Sequence, residues 1–84
     1  MPVGIIGIGN VGTTLLNAFI HKINDEIFLY DRKITSIPDN LPDNIHCVDS
    51  VKSMPAERIF ITVNDESIHD VIRDIKSGRE IIVM

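Results

Sequence analysis

Cysteine is almost missing from this sequence: Cys47 stands alone. No disulfide can close within the chain and no thiolate metal cluster can form, which fits a reducing compartment. Positive charge is also short. Eight Lys and Arg stand against twelve Asp and Glu, a formal net charge of −4, which argues against a nucleic-acid partner and a basic membrane-surface patch. No apolar run approaches the roughly 20 residues of a membrane-spanning helix, and no charged leader precedes a long apolar segment. Neither an internal repeat nor a low-complexity tract is present. His21, His46 and His69 are scattered without metal-ligand spacing to one another or to Cys47, so no metal is expected. These absences predict a cytoplasmic protein without nucleic-acid, membrane or metal chemistry.

What is present is the composition of a folded domain: 44% hydrophobic and 24% charged residues in a chain of 84, enough for one core and no more. Residues 1–84 are therefore read as a single domain. Val3 to Ile8 is a β-branched apolar run ending among glycines, the pattern of a strand buried on both faces. Val11, Leu15, Ala18 and Phe19, widened by Leu16, Ile20 and Ile23, predict a helix from Val11 to about Lys22. Ile27 to Tyr30 gives a second strand, followed by a Pro- and Asp-rich crossing over residues 32 to 44. A short third strand is expected at Ile45 to Val48, and Asp49 or Ser50 can cap a brief helical turn running to about Met54. In the third strand Cys47 is expected to be a small core residue. Ile59 to Val63 predicts a fourth strand. Ile68, Val71, Ile72 and Ile75 then follow helical spacing after a cap at Asn64 or Asp65, with Gly78 as the stop. Glu80 to Met84 predicts a fifth strand. Strands joined by helical crossovers pair in parallel, and right-handed crossovers favour an α/β, doubly wound parallel sheet in the order 3-2-1-4-5.

Chemistry concentrates in Gly7-Ile8-Gly9-Asn10-Val11-Gly12. This G-x-G-x-x-G turn follows a predicted strand, opens a predicted helix, and precedes an acidic residue, Asp31, at the end of the next strand. Gly7 permits the tight exit from the strand, Gly9 lets a pyrophosphate approach the backbone, and Gly12 lets the helix approach the sheet. The helix N-terminus offers N–H groups and the positive end of its dipole to phosphate. The alternative is a structural turn that binds nothing. Asp31 suits the adenine ribose hydroxyls and favours NAD, whereas Arg32 suits a 2′-phosphate and keeps NADP open. A plainer reading makes Asp31 a loop cap and Arg32 a solvated charge. Asp65, Glu66, Ser67 and Asp70 are most simply helix-start residues.

Gly-Ile-Ile-Gly-Ile-Gly-Asn-Val-Gly, with Leu-Tyr-Asp-Arg closing the second strand, resembles the cofactor domains of β-hydroxyacid dehydrogenases. Ile-Phe-Ile-Thr-Val-Asn-Asp-Glu-Ser-Ile resembles the fourth strand and turn of pyrroline-5-carboxylate reductase-like oxidoreductases, with Asn64 where those enzymes commonly have proline. The resemblance implies a Rossmann-like NAD(P)-binding domain in which Thr62, Val63 and Asn64 lie along the cofactor. It also implies that catalytic residues follow the fifth strand, so that this chain is the N-terminal part of a longer reductase. The other reading is a non-catalytic nucleotide-sensing or assembly module of the same fold. With Ile81-Ile82-Val83 expected on an open edge, the remaining expectation is a homo-oligomer or a missing C-terminal domain.

Overall fold

The computed structural model describes residues 2–22, 25–31, 41–63, 65–75 and 78–83, with the side chains at 10, 21, 22 and 65–67 outside that description. In chain order the elements are β1 (Val3–Ile6), α1 (Asn10–Lys22), β2 (Ile27–Tyr30), β3 (Ile45–Cys47), a 3-10 turn (Val51–Ser53), β4 (Arg58–Ile61), α2 (Asp65–Asp74) and β5 (Glu80–Val83). All five strands join one sheet in the order β3-β2-β1-β4-β5, and every pairing is parallel. This is the expected doubly wound, Rossmann-like α/β arrangement. The crossing over residues 32–40 lies outside the described residues.

β1 is buried along its whole length because it is the central strand, paired with β2 on one side and β4 on the other. Its side chains alternate between two cores. On one face Ile5, Ile8, Leu16, Ile27, Leu29 and Ile45 pack together beneath α1. On the other, Ile6, Ile59 and Ile61 pack with Val71 of α2 and with Val51, Met54 and Ala56 around the 3-10 turn. Each fully buried Ile or Leu contributes about 1.5–3 kcal/mol. At Gly4 a Cβ would lie 2.8 Å from the Met54 thioether sulfur and 3.1 Å from the Ala56 Cβ, so the second core packs directly on the β1 backbone.

Several local expectations change. β1 and β4 end two residues earlier than the apolar runs suggest, because Gly7, Ile8, Thr62 and Val63 leave the ladder to build the turns at the strand tips. The buried line of α1 runs through Gly12 and Leu16, flanked by half-buried Leu15, Phe19 and Ile20, while Val11 and Ala18 are exposed. Phe19 instead meets Phe60 of β4 edge to face, with ring centroids 5.1 Å apart. In α2, Ile72 is exposed rather than part of the core. Cys47 is exposed as well, contrary to its reading as a core residue: it ends β3, an edge strand of the described sheet, in which only Ile45 is buried. Of the two candidate caps, Ser50 is the one used, its side chain accepting from the Ser53 N–H.

Candidate functional site

Strand order reverses between β1 and β4: from β1 the chain winds outward to β2 and β3, and from β4 outward to β5. The crevice beyond the carboxyl ends of these two strands is where open α/β sheets bind ligands. The glycine turn occupies it, leaving β1 at Ile6 and entering α1 at Asn10.

Neighbouring strands lace the turn in place. The Gly7 N–H donates to the Tyr30 carbonyl at the tip of β2, 2.8 Å away. The Ile8 N–H donates to Oδ2 of Asp31 at 2.7 Å. From the other side the Thr62 hydroxyl, just past β4, donates to the Gly7 carbonyl, while the Thr62 N–H donates to the Ile6 carbonyl at 2.9 Å. The Gly9 carbonyl closes the helix start by accepting from the Thr13 N–H at 3.1 Å and the Thr13 hydroxyl at 2.6 Å.

Each glycine answers a different constraint. Gly7 has φ +89°, and a Cβ there would meet Val63 Cγ1 at 2.7 Å. Gly12 is buried, and its Cβ would run into the Gly7 carbonyl oxygen, so α1 touches the turn itself. Gly9 differs from both: with φ +22°, its Cβ would find no atom within 4 Å. Space in the protein does not call for glycine at this position. An unfilled approach to bare backbone is what a phosphate group needs, and the residues fit a dinucleotide there. The N–H groups of Asn10, Val11 and Gly12, in the first turn of α1, have no acceptor within their own helix, and the dipole adds positive potential at the same end.

The other anticipated site residues take distinct places. Ile8 contributes backbone only, since its side chain is fully buried in the core beneath α1. Val11 is 54% exposed at the mouth, offering an apolar surface where a water-facing helix residue would ordinarily be polar. Asp31 comes to the turn, carboxylate on backbone N–H. Thr62 and Val63 stand half-buried across the turn from Asp31. Arg32 and Asn64 lie outside the described residues, as does the Asn10 side chain. The sequence reading missed the Thr62 hydroxyl as a tie to Gly7, a link spanning 55 positions with no local signal. Among the described residues, no three His, Cys, Asp or Glu side chains gather as a metal-ligand set. None of the described helices is long and apolar enough to cross a membrane.

The chain matches no curated protein. A family model described as NADP oxidoreductase, coenzyme F420-dependent, matches residues 2–84. A parallel sheet with a glycine turn at its switch point and a family match over nearly the whole sequence agree, and the chain belongs to this family as a Rossmann-like, NAD(P)-binding oxidoreductase domain.

Proposed function

We propose that this chain binds the cofactor of a reductase with the pyrophosphate of the dinucleotide on the turn from Gly7 to Gly12. The first-turn N–H groups of α1 face the phosphates, with Gly9, Asn10 and Val11 nearest to them. The observation that carries the reading is Gly9, whose missing side chain answers no contact within the protein. Asp31 and Arg32 take the adenosine ribose, and Thr62, Val63 and Asn64 flank the cofactor on the β4 side. The proposed preference is NAD rather than the NADP of the family's description, because a carboxylate beside the turn repels a 2′-phosphate. When bound, the cofactor supplies hydride exchange; the residues of this chain bind and orient it.

Two further elements belong to the proposal. By resemblance to pyrroline-5-carboxylate reductase-like enzymes the catalytic residues and much of the substrate pocket are others than these, and the single cysteine supports a cytoplasmic location. Exposed Ile81 and Val83 on the edge strand β5 support a homo-oligomer or a covering domain.

Calorimetric titration with NADH and, separately, NADPH tests the site. The expected result is saturable binding of both with NADH the tighter. Tighter NADPH would transfer the ribose role from Asp31 to Arg32, and no saturable binding of either would overturn the glycine-turn assignment.

A further inference from the structure

Thr62 sits where a contact residue of the cofactor is expected, yet its hydroxyl points elsewhere. The oxygen lies within hydrogen-bonding reach of two carbonyls, that of Gly7 and, at 3.3 Å, that of Ile6. A hydroxyl carries one proton, and the Ile6 carbonyl already accepts the Thr62 N–H at 2.9 Å. The Gly7 carbonyl is thus the acceptor for which the side chain is needed.

That carbonyl has an unusual position. It belongs to a residue at φ +89°, and it is the atom that a Cβ on Gly12 would strike. The peptide following Gly7 also carries the Ile8 N–H, which Asp31 holds from the β2 side. One peptide plane is therefore gripped at both ends, its oxygen by Thr62 and its N–H by Asp31, and the first turn of α1 rests on it. Rotation of this plane would move the carbonyl against which Gly12, in the first turn of α1, is already packed. We infer that Thr62 is a positioning residue for the pyrophosphate site, acting through the Gly7 carbonyl on the aim of the α1 N–H groups rather than by touching the cofactor. The inference rests on the proposed glycine-turn site and adds to it a determinant on a different strand.

The test compares NADH affinity and thermal melting in the wild-type protein, Thr62→Ser and Thr62→Val. Serine keeps the donor and loses a methyl; valine keeps the shape and loses the donor. The expected result is near-wild-type affinity for Thr62→Ser and about fivefold to tenfold weaker binding for Thr62→Val, with folding retained. Equal affinity of Thr62→Val and wild type would overturn the inference while leaving the glycine-turn site standing. So would equal losses in both variants, which would show that the site responds to any change at position 62 and not to the hydroxyl in particular. If Thr62→Val does not fold, Thr62→Ala takes its place against Thr62→Ser. Failure of both to fold would make the hydroxyl a tie of the sheet and overturn the positioning role. Absence of NADH binding by the wild-type protein would overturn the proposed function itself, a result distinct from all the others.

Discussion

At the scale of single residues, Gly9 and Gly12 lie three positions apart and are needed for opposite reasons. A methyl group at Gly12 points into a backbone oxygen, which cannot retreat without moving the turn. Gly12→Ala should therefore lower stability by about 1–3 kcal/mol, a fall in Tm of at least roughly 5 °C for a domain of this size. A methyl at Gly9 meets nothing and is opposed only by its φ of +22°, a cost of about 1–2 kcal/mol. Gly9→Ala should thus keep a cooperative melt yet bind NADH at least tenfold more weakly, since the added group stands where the phosphate approaches. Melting and titration of the two variants side by side check the contrast. Equal affinity of Gly9→Ala and wild type would remove the phosphate from this position.

At the scale of elements, one of the two shortest has a large share in the packing. The 3-10 turn Val51–Ser53 sets Val51 and Met54 into the core that faces Gly4, and it is closed by Ser50, whose side chain accepts from the Ser53 N–H at 3.2 Å. Ser50→Ala should cost about 1 kcal/mol, the worth of a cap. Met54→Ala should cost about 2–5 kcal/mol, because Met54 is 3% exposed and its removal leaves a cavity against β1. Denaturant unfolding measures both, and the larger loss is expected for Met54.

The same scale explains what was legible in the sequence. The strands declare themselves as β-branched runs cut by glycine, proline or acidic residues, and their order follows from crossover handedness, so the sheet was readable in advance. Strand tips were not, because Thr62 and Val63 continue the apolar pattern of β4 while serving the turn. Cys47 reads as core from its neighbours Ile45 and Val48, but it ends an edge strand of the described sheet in which only Ile45 is buried. The glycine turn and Asp31 could be found from spacing. The contacts that hold them, Asp31 to Ile8 and Thr62 to Gly7, join residues 23 and 55 positions apart and leave no trace in any local window.

At the scale of the whole molecule, the two edges of the sheet are unlike. On β5, Ile81 and Val83 are 36% and 51% exposed, apolar side chains on an edge strand of the described sheet. On β3 the exposed His46 instead stacks on Phe28, with ring centroids 5.3 Å apart, and bonds to Glu26. If β5 is the surface through which copies associate, the double substitution Ile81→Lys and Val83→Lys should shift the protein toward monomer in sedimentation at micromolar concentration. The fold should survive, because exposed positions tolerate such changes within about 0.5 kcal/mol each. A wild-type protein that is already monomeric would remove self-association from the proposal.

Parallel pairing also fixes the order in which the molecule can be completed during synthesis. A hairpin would let each strand find a partner within a few residues of its own making, but every partner here lies across a crossover. β1 leaves the ribosome before both of the strands it needs, β2 and β4. Its outer hydrogen bonds must wait until Arg58–Ile61 has been translated, and the glycine turn waits a residue longer for Thr62. The nascent chain therefore carries β1 half-paired until β4 has emerged, the interval in which such segments are open to aggregation or to capture by a chaperone.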